Sequence, residues 1–209
     1  MLETALVAFA TFFATIGPFN VPIVFASLTG DLTPKERMAA AVKGVVIASG
    51  ILMAFAISGD FILNLFGITL PALRIAGGIL LLLISIDMVF ARSSGAVSTT
   101  PDEEKEAEEK SDISVFPLAT PLLAGPGAMG AVVLLMADVS GDTLKSMIVV
   151  GALLSVLAMA LVSMLLTAQL QRLLGKTGVH VISRIFGVIL SALAVQFMVD
   201  GLAGSALFV

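Results

Sequence analysis

The 209-residue sequence has no cysteine, no tryptophan and no tyrosine, and a single histidine, His180. Without cysteine there is neither a disulfide nor a thiolate metal site. One histidine gives no histidine-built metal centre and weakens the case for a Ser/His/Asp triad. The missing Trp and Tyr leave the usual interfacial aromatic belt of a membrane protein to Phe or to nothing. Charge is scarce as well: 12% of residues are Asp, Glu, Lys or Arg, against about 25% in a soluble domain.

What is present is apolar. Hydrophobic residues make up 58% of the chain and the mean hydropathy is +1.11. Such a chain cannot cover its surface with polar groups, so lipid is its expected solvent. The opening run MLETALVAFATFF has no Lys or Arg before it. It lacks the basic region of a secretory signal and reads as a retained membrane segment.

A spanning helix needs about 20 mostly apolar residues. Six runs qualify, at about 2–28, 39–59, 69–91, 114–137, 145–168 and 180–203. None alternates with period two over its length, which argues against a β-barrel. The expected fold is therefore an all-α polytopic membrane protein. Residues 92–113 are polar, Ser/Thr-rich and acidic, and join residues 1–91 to residues 114–209 as a solvated linker. Nine basic residues, Lys35, Arg37, Lys43, Arg92, Lys105, Lys110, Arg172, Lys176 and Arg184, cluster in or beside the odd loops, against Arg74 and Lys145 on the other side. The positive-inside rule then puts the acidic loop in the cytoplasm and both termini outside.

The two halves repeat. ATIGPFNVPIV (14–24) aligns with LLAGPGAMGAV (122–132), and Gly30-Asp31 with Gly141-Asp142. Gly67, Thr69, Arg74 and Met88-Val89 align with Gly175, Thr177, Arg184 and Met198-Val199. An ordered series at near-constant offset is a specific signal. Three spans per repeat force the second half to enter from the opposite side. The expected architecture is two inverted three-helix repeats, typical of secondary transporters.

Helices 1 and 4 are expected to break at mid-membrane. Proline removes a backbone donor and crowds the preceding turn. Pro18 and Pro22 interrupt the first run, and Pro121 and Pro126 the fourth. Discontinuous helices in corresponding positions point to a transporter's binding site. The candidate substrate-binding residues are Thr15, Gly17, Pro18, Asn20 and Pro22 in the first half, with Thr120, Gly125, Pro126 and Gly127 in the second. Half-helix N-termini near Asn20 and Gly127 would read a carboxylate, and unwound carbonyls an ammonium group. A small zwitterion suits both. Thr15 and Thr120 either line that cavity or bond back to their own helices. Candidate coupling or gating residues are Asp87, Arg74 and Arg184, with pairing to a carboxylate or carbonyl the plainer role for the arginines. The stretch Gly77-Gly78 permits close helix packing within one chain or in a homo-oligomer.

GPFNVPIVFASLTGDLTPKER, RIAGGILLLLISIDMVF, VFPLATPLLAGPGAM and RLLGKTGVHVISRIFGVILSALAVQFMVDGL together resemble the MarC family of six-span membrane proteins. That family includes small neutral amino acid transporters of the SnatA type, within the wider LysE-like superfamily. The resemblance covers nearly the whole chain outside the acidic loop. It implies transport of glycine- or alanine-class amino acids across a prokaryotic inner or plasma membrane, without a cofactor. The first motif, Pro18-Phe19-Asn20-Val21-Pro22, is one residue shorter than the family's Pro-x-Gly-Asn-x-Pro and lacks its glycine. Other readings are an exporter of other small molecules, a channel, a scaffold or a membrane-embedded enzyme. The enzyme needs paired groups at one depth, and the chain offers one His and no two deep carboxylates. There is no GxxxxGK[ST] loop for a nucleotide, and nothing points to nucleic acid.

Overall fold

The computed structural model describes residues 1–30, 32–90 and 112–205, and every regular element among them is helical. The acidic linker at 91–111 lies outside the described residues, as do the side chains of Gln169, Arg172, Lys176 and His180. The elements are α1 (Leu2–Ile16), α2 (Val21–Leu28), α3 (Pro34–Leu65), α4 (Leu70–Phe90), α5 (Ser114–Leu123), α6 (Pro126–Asp138), α7 (Thr143–Leu165) and α8 (Thr167–Ala203).

Four stretches are long and apolar enough to cross a membrane singly: Pro34–Gly59, Leu70–Phe90, Thr143–Leu165 and Arg184–Ala203. The bent pair α5–α6, whose halves meet at 54°, is long and apolar enough for a fifth crossing if the two halves form one span. The first apolar run is divided too: α1 has 15 residues, short of a full crossing, and α2 follows it after a four-residue break.

Local chemistry explains the ends. Gly17 closes α1 in the left-handed region (φ 63°, ψ 58°) and returns its N–H to Phe13 O, a conformation that costs glycine little. Pro18 then forbids continuation. A capping box starts α3: Thr33 N donates to Glu36 Oε2 (2.8 Å), Glu36 N donates to Thr33 Oγ1, and Pro34 occupies the first helical position. Asp142 caps α7 by accepting from Lys145 N at 3.1 Å. That bond holds its carboxyl below the usual carboxylate range.

One expectation fails here. Residues 169–179, between the fifth and sixth runs, were expected to form a loop, yet α8 is helical from Thr167 and is separated from α7 by Leu166 alone. No proline lies between 167 and 203, and the run QLQRLL is made of good helix formers. Gly175 and Gly178 weaken such a helix but do not stop it.

The packing is glycine-mediated. The most extensive helix contact joins α4 to α8. A Cβ on Gly78 would lie 2.6 Å from Met198 Cγ and 2.7 Å from Ala194 O, and one on Gly187 would lie 3.0 Å from Met88 Cβ. A Cβ on Gly201 would lie 2.8 Å from Pro71 O. Rising numbers on α4 meet falling numbers on α8, so the two are antiparallel. Along α3, Gly44 admits Leu118 of α5 and Gly59 faces Val133 of α6. The Gly77-Gly78 pair is thus spent within the chain, on Leu134 of α6 and on α8. Phe12, Ala14, Leu118, Leu123 and Ala160 are fully buried, so the broken helices and α7 form the centre. Ile57 and Phe61 of α3, Leu80 and Leu83 of α4, and Val188 and Val199 of α8 are exposed apolar residues, as a lipid-facing surface requires.

Two ion pairs tie the first half to the second. Lys43 of α3 pairs with Asp112 just before α5, and Arg74 of α4 pairs with Asp138 at the end of α6. They lie at opposite ends of the bundle, since α3 and α5 start at one end while α4 starts and α6 finishes at the other. Lys43, with Ser114 behind it, keeps the Asp112 carboxyl below its usual range.

Because α4 and α8 touch backbone to backbone, Gly78→Ala and Gly187→Ala should each destabilise the protein by about 1–3 kcal/mol, the usual cost of overpacking. Thermal unfolding in detergent checks this. Gly50→Ala, whose Cβ would meet nothing within 4 Å, is the control and should have no such effect.

Candidate functional site

The site is built from two breaks in otherwise helical segments. At the first, Asn20 N and Val21 N both donate to Gly17 O (2.8 and 3.1 Å). Asn20 is itself in right-handed helical conformation and half-buried. The N–H groups of Asn20 and Val21 are therefore already used, contrary to the expectation that they face a carboxylate. The left-handed turn at Gly17 brings its carbonyl under the next turn and causes this. A Cβ on Gly17 would sit 3.5 Å from Asn20 Nδ2, so the amide of Asn20 folds back over the break. Gly17, Pro18 and Pro22 are buried.

The acceptors at the same break are not used up. Gly17 N takes Phe13 O, and Ser163 Oγ of α7 donates to Pro18 O at 2.5 Å. Among the described residues the carbonyls of Ala14, Thr15 and Ile16 receive no hydrogen bond, because Pro18 has no N–H to give and the chain turns away after it. All three residues are buried. The Thr15 hydroxyl bonds back to Thr11 O (2.9 Å), the plainer of its two expected roles. Thr11 Oγ1, fully buried one turn earlier, has no partner among the described residues.

The second break is the converse. Phe116 and Thr120, the residues before Pro117 and Pro121, are extended (φ −131°, ψ 128° and φ −137°, ψ 123°), as pre-proline sterics favour. Wide turns close over them, with Ala124 N donating to Ala119 O at 2.8 Å. Gly125 is the extended N-cap of α6 (φ −79°, ψ 170°) and Pro126 its first residue. Among the described residues the N–H groups of Gly125, Gly127 and Ala128 make no hydrogen bond, and all three residues are buried. Pro126 is exposed and Thr120 half-buried.

The breaks are neighbours: α1 packs on α6 and α2 on α5. The negative end of the α1 dipole, with three unused carbonyls, and the positive end of the α6 dipole, with three unused N–H groups, thus belong to packed helices. Buried backbone groups are nearly always paired, and each orphan costs about 1–3 kcal/mol. Phe13 walls the first break, stacked on Phe186 of α8 (centroids 3.8 Å apart) and edge-on to Phe19 (5.5 Å).

Residues 2–206 match the sequence profile described as MarC family integral membrane protein. The chain belongs to the MarC family. It is 40% identical over 206 residues to a UPF0056 membrane protein of Methanocaldococcus jannaschii, covering 99% of both chains. It is also 40% identical to UPF0056 membrane protein YvbG of Bacillus subtilis (94% of this chain, 92% of that one), and 34% identical to YhcE of Escherichia coli (94% and 90%). No solved structure matches.

The remaining candidates in this MarC protein separate from the breaks. Arg74 is held by Asp138, its Nε 2.9 Å from Oδ1. Arg184, aligned with it in the sequence, is exposed and makes no ion pair among the described residues. Asp87 is half-buried near the far end of α4, likewise without an ion pair there. No group of three or more metal-capable side chains occurs among the described residues. The sequence reading missed Ser163 and Phe186. A serine in an apolar helix was the one available signal for the first, and nothing in the sequence says which broken carbonyl it meets.

Ser163→Ala should leave Pro18 O buried and unpaired, at a cost of about 1–3 kcal/mol. A lowered unfolding midpoint in detergent checks this. Ser155→Ala, whose hydroxyl bonds only within its own helix, should change little.

Proposed function

We propose that this MarC protein is a secondary transporter of small neutral amino acids of the glycine and alanine class, working by alternating access. The observation that carries the reading is the buried N-terminus of α6, where Gly125, Gly127 and Ala128 present three unpaired N–H groups. A carboxylate is the natural partner of such a terminus. The unpaired carbonyls of Ala14, Thr15 and Ile16 on the adjoining α1 supply acceptors for an ammonium group. A zwitterion satisfies both sets, as neither an anion nor a cation does. The aromatic wall of Phe13, Phe19 and Phe186 favours a small side chain.

Helix pairing supports two inverted three-helix repeats, with α1–α2, α3 and α4 corresponding to α5–α6, α7 and α8. Under that exchange the contact of α1 with α7 maps onto α5 with α3, α2 with α7 onto α6 with α3, and α1 with α6 onto α5 with α2; all six contacts occur. Gly78 meets Met198 while Gly187 meets Met88, and those methionines are repeat counterparts. The protein sits in a prokaryotic cell membrane, its relatives being bacterial and archaeal. The end carrying Arg37 and Lys43 faces the cytoplasm under the positive-inside rule.

Purified protein in liposomes loaded with unlabelled glycine should accumulate labelled glycine or alanine by counterflow, saturably. Flux that never saturates would identify a channel instead, and no flux of any small amino acid would end the proposal. Asn20→Ala should raise KM about tenfold, the loss of one buried polar contact. An unchanged KM would remove Asn20 from the site.

A further inference from the structure

A polar cavity of about 250 Å³ opens at the end of the bundle opposite the Lys43–Asp112 pair. It lies between the first turns of α1 and α7 and the last turn of α6, and its lining includes Glu3, Thr4, Val7, Asp138, Lys145 and Val149. In an otherwise apolar bundle this cavity gathers two carboxylates and an ammonium group. Their valences are incompletely used. Both hydrogen bonds from Arg74 fall on Oδ1 of Asp138, and none from the described residues falls on Oδ2. Glu3 makes neither. The nearest carboxylate to Lys145 Nζ is Asp142, at 3.4 Å on the same helical turn, a contact loose enough to exchange. Glu3 and Asp138 can take an ammonium group, and Lys145 remains for a carboxylate.

We infer that this cavity is a vestibular binding site for a small zwitterion, and that the solute's ammonium group competes with Arg74 for Asp138. The volume is below the roughly 300–1,000 Å³ of drug-sized pockets, which suits a solute of a few heavy atoms. Asp138 gives the site its consequence. It is the last residue of α6, the 13-residue helix whose other end carries the unpaired N–H groups. Arg74 fastens that end of α6 to α4. A solute that takes Asp138 loosens the fastening before it moves inward, so binding at the mouth and release of α6 become one event. Its purpose rests on the transporter reading; its binding does not.

The chain has no cysteine, so Thr4→Cys supplies a single reporter in the cavity wall. With protein in liposomes, glycine should slow modification of this residue by a neutral maleimide at least about threefold when bound, while acetate or ethylamine alone should not. Adding Glu3→Gln or Lys145→Gln should abolish the protection. Adding Arg74→Gln, or Arg74→Lys if the first fails to fold, should lower the glycine concentration for half-protection by about three- to tenfold, because the competitor is weakened. A merely structural ion pair would leave that concentration unchanged or raise it. Equal rates with and without glycine overturn the inference, and so does protection by ethylamine as strong as by glycine, which would mark a plain cation site. Counterflow in the same liposomes separates the two proposals. Protection without counterflow keeps the vestibule and removes the transporter; counterflow without protection does the reverse.

Discussion

Every backbone N–H and C=O in the hydrocarbon core must be satisfied by protein, water or a ligand, because lipid offers nothing. The two broken helices are where this chain meets that constraint, and the rest of the molecule is arranged around them. Ser163 answers one freed carbonyl, that of Pro18. Gly17 answers two donors of the turn that follows it. What remains unanswered is sorted by sign, acceptors at the end of α1 and donors at the start of α6. That sorting gives the two breaks opposite polarity, which two plain kinks would not have.

The outer helices hold this centre by close approach. In lipid there is little hydrophobic drive between helices, so association relies on van der Waals packing and on small residues that let backbones approach. Gly78 and Gly187 do this for α4 and α8, and Gly44 for α3 against α5. Charge contributes only at the ends. Lys43–Asp112 and Arg74–Asp138 are partly exposed pairs in which each half of the chain holds the other, one at each end. Exposed pairs are weak, and weakness suits contacts that must be made and broken if the ends open in turn.

Much of the fold was legible in the sequence. Long apolar runs and the prolines at 18, 121 and 126 located most elements and both breaks. The loop expected at 169–179 was misread because polar residues there, Gln169, Gln171 and Arg172, interrupt hydropathy without interrupting helix; hydropathy reports the solvent, not the backbone. The candidate site was legible as a set of positions but not in its polarity. Gly17-Pro18 and Gly125-Pro126 look alike in sequence. Yet a left-handed glycine in one and an extended glycine in the other leave opposite backbone groups unpaired.

By itself the sequence determined the solvent, most of the helices and where they break, because these follow from composition, periodicity and the fixed stereochemistry of proline. Only the tertiary structure decided which break offers donors and which acceptors, that Ser163 reaches Pro18, that Arg74 holds Asp138 while Arg184 holds nothing described, and that Glu3, Asp138 and Lys145 share a cavity. Each of those depends on groups 64 to 145 residues apart or on one glycine's torsion angles. Local sequence does not encode such distances; the packing of helices against one another does.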